Sequence, residues 1–131
     1  MKFVCLGYAD EKKWQGMAKS ELEATIDECW AYDDELAQNG HFVGGNALQS
    51  ARTAATLRFQ NGKVIITDGP YAETKEQLGG ILVLEARDMK HAIELMSIHP
   101  GVRLGSVFEI RPANEEIDAR WAARQSQRKK Q

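Results

Sequence analysis

Cysteine is scarce in this chain: Cys5 and Cys29 are the only two among 131 residues. Two thiols cannot supply the disulfide framework of a small extracellular domain, and 43% hydrophobic residues build a core without one. Both are expected to stay reduced, as in a cytoplasmic protein. Long apolar runs are also missing. The opening MKFVCLGYADEKK meets charge after about six apolar residues, too few for a signal-peptide core or a membrane span, and is read as a strand. Nor is there an excess of positive charge: 17 basic against 19 acidic residues leave a net of -2. That balance argues against nucleic-acid binding by bulk electrostatics and confines any charged site to a local cluster.

Familiar chemical signatures are absent as well. Cys5, Cys29, His41, His91 and His99 include no pair at zinc-ligand spacing, so no metal is predicted. Gly44-Gly45 and Gly79-Gly80 lack the spacing of a dinucleotide or phosphate loop, and no Gly-x-Ser-x-Gly elbow occurs, so no cofactor is predicted either.

What is present reads as one α+β domain. Residues 2–8 are rich in strand formers, and the polar stretch 9–19 reads as a loop. Ser20 and Glu23 stand at capping-box spacing before an apolar stripe of Leu22, Ile26, Cys29 or Trp30, and Leu36, which predicts a helix stopped by Asn39-Gly40. His41 to Val43 reads as a short strand ending at Gly44-Gly45. Asn61-Gly62 favours a type I′ turn and predicts a hairpin over 53–67. Residues 71–77 have room for one helical turn, and Ile81 to Leu84 form a buried strand. Asp88 caps a helix with Met89, Ala92, Ile93 and Met96 on one face, Pro100 ends it, and residues 105–110 supply the last strand.

With the hairpin set aside, the order is strand, helix, strand, strand, helix, strand, the ferredoxin-like split βαβ pattern. Helices then cover one face of the sheet, and pairing with a second copy is the expected cover for the other. Residues 113–131 begin acidic and end basic, as suits a helix dipole. They read as a charged helical extension carrying Trp121, or as a basic tail for an acidic partner.

The stretch ITDGPYAETKEQLGG, residues 66–80, gathers turn formers and ionisable groups between two strands, where function commonly resides. Asp68 ends a strand, Gly69 permits unusual backbone angles, and Pro70 sets the exit direction. A carboxylate so placed suits general acid or base work, while Asp-Gly-Pro is equally ordinary turn chemistry. His99, at a helix end, is the second proton-carrying candidate. Arg52 and Arg103 are candidate anion binders or surface ion pairs.

The motif DGPYAETKEQLGG, with MKFVCLGYADEKK before it and SVFEIRP after it, resembles the YCII-related family and its DGPF subgroup over about residues 1–112. The resemblance implies a ferredoxin-like fold, a homodimer forming an α+β barrel, and a small-molecule cleft near the Asp-Gly-Pro loop. It places Asp68, Gly69 and Pro70 on the family signature, with Tyr71 in place of the usual phenylalanine and Asn46 where similar members carry glutamate. Subgroup members are similar to proteins encoded beside extracytoplasmic-function sigma factors, which implies a regulatory alternative with a sigma factor as partner. In the family's enzyme-like branch a histidine of the first helix pairs with an aspartate before a proline. Here the first helix has no histidine and His99 precedes Pro100, so that pair does not transfer and Asp68 is expected to turn to His99 or an arginine.

Overall fold

A computed structural model of the protein describes residues 1–130; Gln131, the last residue of the predicted extension, lies outside them. The chain runs through β1 (Lys2–Ala9), α1 (Glu11–Gln15), α2 (Lys19–Gln38) and β2 (Phe42–Ala47). A short 3-10 turn, Ala51–Thr53, then leads into the hairpin β3 (Ala55–Gln60) and β4 (Lys63–Asp68). After it come β5 (Gln77–Glu85), α3 (Met89–Ser97), α4 (Pro100–Arg103), β6 (Val107–Pro112) and α5 (Glu115–Lys129).

Four strands form one antiparallel sheet in the order β2-β5-β1-β6, and β3-β4 stands apart as a second, two-stranded sheet. This is the ferredoxin-like arrangement with an inserted hairpin. Strand alternation sends Phe3, Cys5, Leu82 and Leu84 to one face, where they meet Leu36 of α2 and Ala92 and Met96 of α3 in the core. On the other face Val4, Leu6, Ile81 and Val83 are only half-buried. No helix among the described residues is long and apolar enough to cross a membrane.

Several elements differ from their sequence reading for local reasons. The loop at 9–19 contains α1, because Asp10 caps it by accepting from the Lys12 N–H at 3.1 Å. The Ser20 capping box does not form. Leu22 N–H already closes on the Ala18 carbonyl at 2.9 Å, so the helix begins at Lys19 and leaves Ser20 inside its first turn. Cys29 faces inward on α2, whereas Trp30 is 63% exposed.

Gly44-Gly45 does not end β2, which continues to Ala47. A Cβ at Gly45 would lie 2.5 Å from the Ile81 carbonyl oxygen, so glycine there permits close strand approach. No helical turn forms at 71–77; the Gln77 side-chain amide instead donates to the carbonyls of Ala72 and Thr74, at 3.0 and 2.9 Å. The last strand starts at Val107, two residues beyond the expected Gly105, because Gly105 has φ +104° and turns the chain out of α4.

Other signals act as read. Asn61 and Gly62 have φ of 52° and 77°, the type I′ requirement, and Asp88 caps α3 by accepting from His91 N–H at 2.8 Å. Asn114 caps α5 by accepting from Ile117 N–H at 3.1 Å, and that helix runs from acidic to basic without a buried residue.

Burial in the core pushes the Cys5 thiol up to about 11 from its ordinary 9.0. An unfolded chain ionises this thiol above pH 9 while the folded chain keeps it neutral, so its contribution to stability is complete below pH 9 and is lost as pH climbs to 11. In urea titrations the stability difference between the native chain and Cys5→Ala is therefore expected to narrow over that window. A difference that stays constant to pH 11 would remove the assignment.

Candidate functional site

Two open cavities collect the chain's candidate residues. The larger, about 720 Å³, lies at the Asp-Gly-Pro loop. Gly69 takes φ +108° at the end of β4, its N–H donates to the Ala54 carbonyl at 2.7 Å, and its own carbonyl accepts from Thr56 Oγ1 at 2.9 Å. The loop is thereby tied at both ends of one residue. Asp68 lines the cleft, and its carboxylate has no hydrogen-bond partner among the described residues. Across from it, Glu11 accepts from Ala51 N–H at 2.7 Å and from Ser50 Oγ at 3.0 Å, fixing the 3-10 turn that carries Arg52. Arg52, Lys12 and Lys75 line the same cleft as Asp68, Gly69 and Pro70.

Three expected members are elsewhere. Tyr71 is exposed and holds the Arg58 guanidinium 5.1 Å from its ring centroid, so it does not line the cleft. Arg103 is paired with Glu28 on the surface. His99 lines the second cavity, so the expected meeting of Asp68 and His99 does not occur. The partner of His99 is Asp33, a residue the sequence reading passed over.

The geometry around His99 follows from Pro100. Its ring disfavours a helical residue before it, and His99 accordingly has extended angles, φ -63° and ψ 130°. That position makes His99 the N-cap of α4: its Nδ1 accepts from Gly101 N–H at 3.0 Å. An accepting Nδ1 leaves the ring proton on Nε2, which donates to Asp33 Oδ1 on α2 at 3.0 Å. Tyr32 meets the imidazole edge-on and Phe108 meets it tilted, each with centroids 5.4 Å apart. Glycine makes the room. A Cβ at Gly101 would stand 3.1 Å from Nδ1, and one at Gly7 would stand 2.9 Å from the Phe108 ring.

The His99 side chain is 6% exposed and that of Asp33 24%. They sit at an open cavity of about 550 Å³ between α2 and the β2–β5 edge, whose side-chain walls include Trp14, Cys29, Trp30, Asp34 and Phe108. No lysine or arginine lines it. Burial, followed by the negative charges of Asp33 and Glu28, raises the Cys29 thiol, with Arg103 opposing; that thiol is a neutral wall group and a poor nucleophile. A signal for Asp33 was available in the sequence. It interrupts the apolar stripe of α2 between Cys29 and Leu36, where a carboxylate needs a partner.

Asparagine at position 99 retains an oxygen able to cap α4 but is too short to reach Asp33. His99→Asn is therefore expected to cost about 1 kcal/mol and His99→Ala, which also loses ring packing, about 2–4 kcal/mol in urea unfolding. Equal losses would show that the cap contributes little.

Comparison with known proteins places this geometry in a family. The YCII-related domain matches residues 1–115. An uncharacterised protein of Rhizobium meliloti (strain 1021) is 32% identical over 116 residues, covering 86% of this chain and 91% of that protein. Among solved structures, 5-chloro-2-hydroxyhydroquinone dehydrochlorinase from Burkholderia phenoliruptrix AC1100, in complex with 2,5-dihydroxybenzoquinone, is similar in fold. Its TM-score is 0.52 at 15% identity, with 87% of this chain and 94% of that one covered. From the length of the family match and the identity to its relative, the chain belongs to the YCII-related domain family.

Proposed function

We propose that this protein binds a small ring-bearing molecule in the cavity between α2 and the sheet and transfers a proton there through the Asp33–His99 pair. The observation that carries this reading is a buried imidazole hydrogen-bonded at 3.0 Å to a carboxylate on a cavity wall. Paired ionisable groups beside an apolar pocket are the usual equipment of general acid–base chemistry. Trp14, Trp30 and Phe108 offer flat apolar surface for a ring. The solved dehydrochlorinase, complexed with a dihydroxybenzoquinone, carries a ring-sized ligand on a similar fold; that analogy is at the level of fold.

A second reading keeps the ligand at the Asp-Gly-Pro cleft, with Asp68, Gly69, Pro70 and Arg52 as its contacts. It is favoured by the Asp68 carboxylate, which has no hydrogen-bond partner among the described residues, lining a cleft that Arg52 also lines. A sigma factor as partner has no comparable support: the exposed Ile117 and Trp121 of α5 do not select a protein of any particular chemistry.

The two cavities are separable by experiment. In a ligand-observed NMR screen of aromatic fragments, Ala47→Trp, on the strand wall of the His99 cavity, is expected to abolish binding while Arg52→Glu leaves it unchanged. The reverse pattern would move the site to the Asp-Gly-Pro cleft, and no binding at all would end both readings. For any ligand with an exchangeable C–H, Asp33→Asn is expected to slow solvent deuterium exchange by about 10²–10⁴-fold.

The proposal includes a homodimer. Leu57 and Phe59 of β3 stand opposite Ile66 and Val64 of β4, and all four are between 58% and 74% exposed. Together with the half-buried outer face of the sheet they need cover, which a second copy under two-fold symmetry supplies. Sedimentation velocity at about ten micromolar protein is expected to show a dimer that Phe59→Asp converts to monomer. A native monomer under those conditions would remove this part.

A further inference from the structure

We infer that Asp33 is the group that takes the substrate proton, that His99 is a positioning residue locked in one neutral tautomer, and that the cavity selects ring-bearing C–H acids without negative charge. This rests on the proposed proton-transfer reading and assigns its roles.

The two ring nitrogens of His99 are both committed. Nδ1 faces the Gly101 N–H at 3.0 Å, and Nε2 carries its proton to Asp33 Oδ1 at 3.0 Å. A second proton on Nδ1 would point at the Gly101 N–H and remove the side-chain cap of α4. The imidazole therefore has neither a free lone pair nor a spare proton to offer the cavity. Tyr32 and Phe108 pack against the ring, and its side chain is only 6% exposed.

Asp33 is placed differently. Only Oδ1 is occupied, Oδ2 has no hydrogen-bond partner among the described residues, and the side chain is four times as exposed as that of His99, 24% against 6%. The open oxygen of the pair is thus a carboxylate oxygen. His99 Nε2–H holds Oδ1, fixes the plane of the carboxylate, and presents Oδ2 to the ligand.

The charges around it decide the substrate class. Asp33 and Asp34 line the cavity with no cationic side chain among its walls, and the nearby Arg103 is engaged by Glu28. A carboxylate or phosphate on the ligand would meet like charge with nothing to balance it. A neutral ketone carrying an aromatic ring avoids that repulsion. In the step itself, Asp33 Oδ2 takes the proton from the carbon beside the carbonyl, and the C–H electron pair moves into the ligand as an enolate. The proton then returns from the neutral Asp33 carboxyl to the same or a neighbouring carbon, so that no oxidant or co-reactant is needed.

The test uses phenylacetone and phenylpyruvate, which share a ring and an enolisable methylene and differ in a methyl against a carboxylate. Loss of the methylene signal in deuterated water reads the exchange. Acceleration over the protein-free rate is expected to be at least about tenfold greater for phenylacetone. Asp33→Asn is expected to lower it by the same factor of about 10²–10⁴. His99→Asn, which keeps the α4 cap, is expected to lower the turnover rate about tenfold with KM unchanged, since it disturbs aim and not binding. ¹⁵N NMR of the native protein is expected to show His99 protonated at Nε2 and bare at Nδ1.

Exchange that survives Asp33→Asn but not His99→Asn, or a protonated Nδ1, would make His99 the base and overturn the role assignment. Preference for phenylpyruvate, or no acceleration of either ketone, would overturn the substrate class. All of these leave the binding cavity standing wherever aromatic fragments still bind and Ala47→Trp blocks them. Absence of any fragment binding is the separate failure of the underlying reading.

Discussion

The ring of Pro100 crowds a helical residue before it and so favours an extended one, and the position of His99 depends on that steric preference. Because His99 is extended, α3 stops at Ser97 and a new helix starts at Pro100, the position where a missing N–H costs least. The same break turns the imidazole toward α2, where Asp33 accepts a hydrogen bond from Nε2–H, and aims Nδ1 back at Gly101. One hydrogen-bonded side chain thus caps α4 and joins it to α2. Gly7 and Gly101 complete the arrangement by leaving the volume that Phe108 fills beside the ring.

The residue types at the His99–Asp33 contact differ from those that the family resemblance implies. In the enzyme-like branch, the resemblance places a histidine on the first helix and an aspartate before the proline. Here the helix carries the carboxylate and the proline side carries the imidazole, and the two are hydrogen-bonded at 3.0 Å. The residue before Pro100 is the buried one, which leaves the helix residue nearer the ligand space. A carboxylate there, with Asp34 beside it, makes the cavity wall acidic.

Apolar surface is distributed unevenly over the rest of the molecule. Two helices cover one side of the four-stranded sheet, while the other side and the apolar face of the inserted hairpin remain open to a varying degree. The Gly69–Ala54 and Thr56–Gly69 hydrogen bonds close the base of the hairpin, continuing the β3–β4 ladder past Asp68.

Signals that act within a few residues were legible in the sequence. The Asn61-Gly62 turn, the Asp88 cap, the Asn39-Gly40 stop and the acidic-to-basic α5 depend on φ preferences and hydrogen bonds that close within one turn. Their order was enough for the ferredoxin-like topology. The Ser20 capping box failed because a competing bond from Leu22 to Ala18 was equally local, and Gly44-Gly45 read as a stop because its contact with Ile81 lies across the sheet. The hydrogen-bonded pair at the cavity was the least legible. Asp33 and His99 are 66 positions apart, and their meeting depends on how α2 lies against α4. By itself the sequence determined the elements and the extended backbone at His99, since these are steric and short-ranged. Only the tertiary structure decided that His99 belongs with Asp33 and that Asp68 faces a different cavity, because side chains distant in the chain become neighbours only when the helices pack onto the sheet.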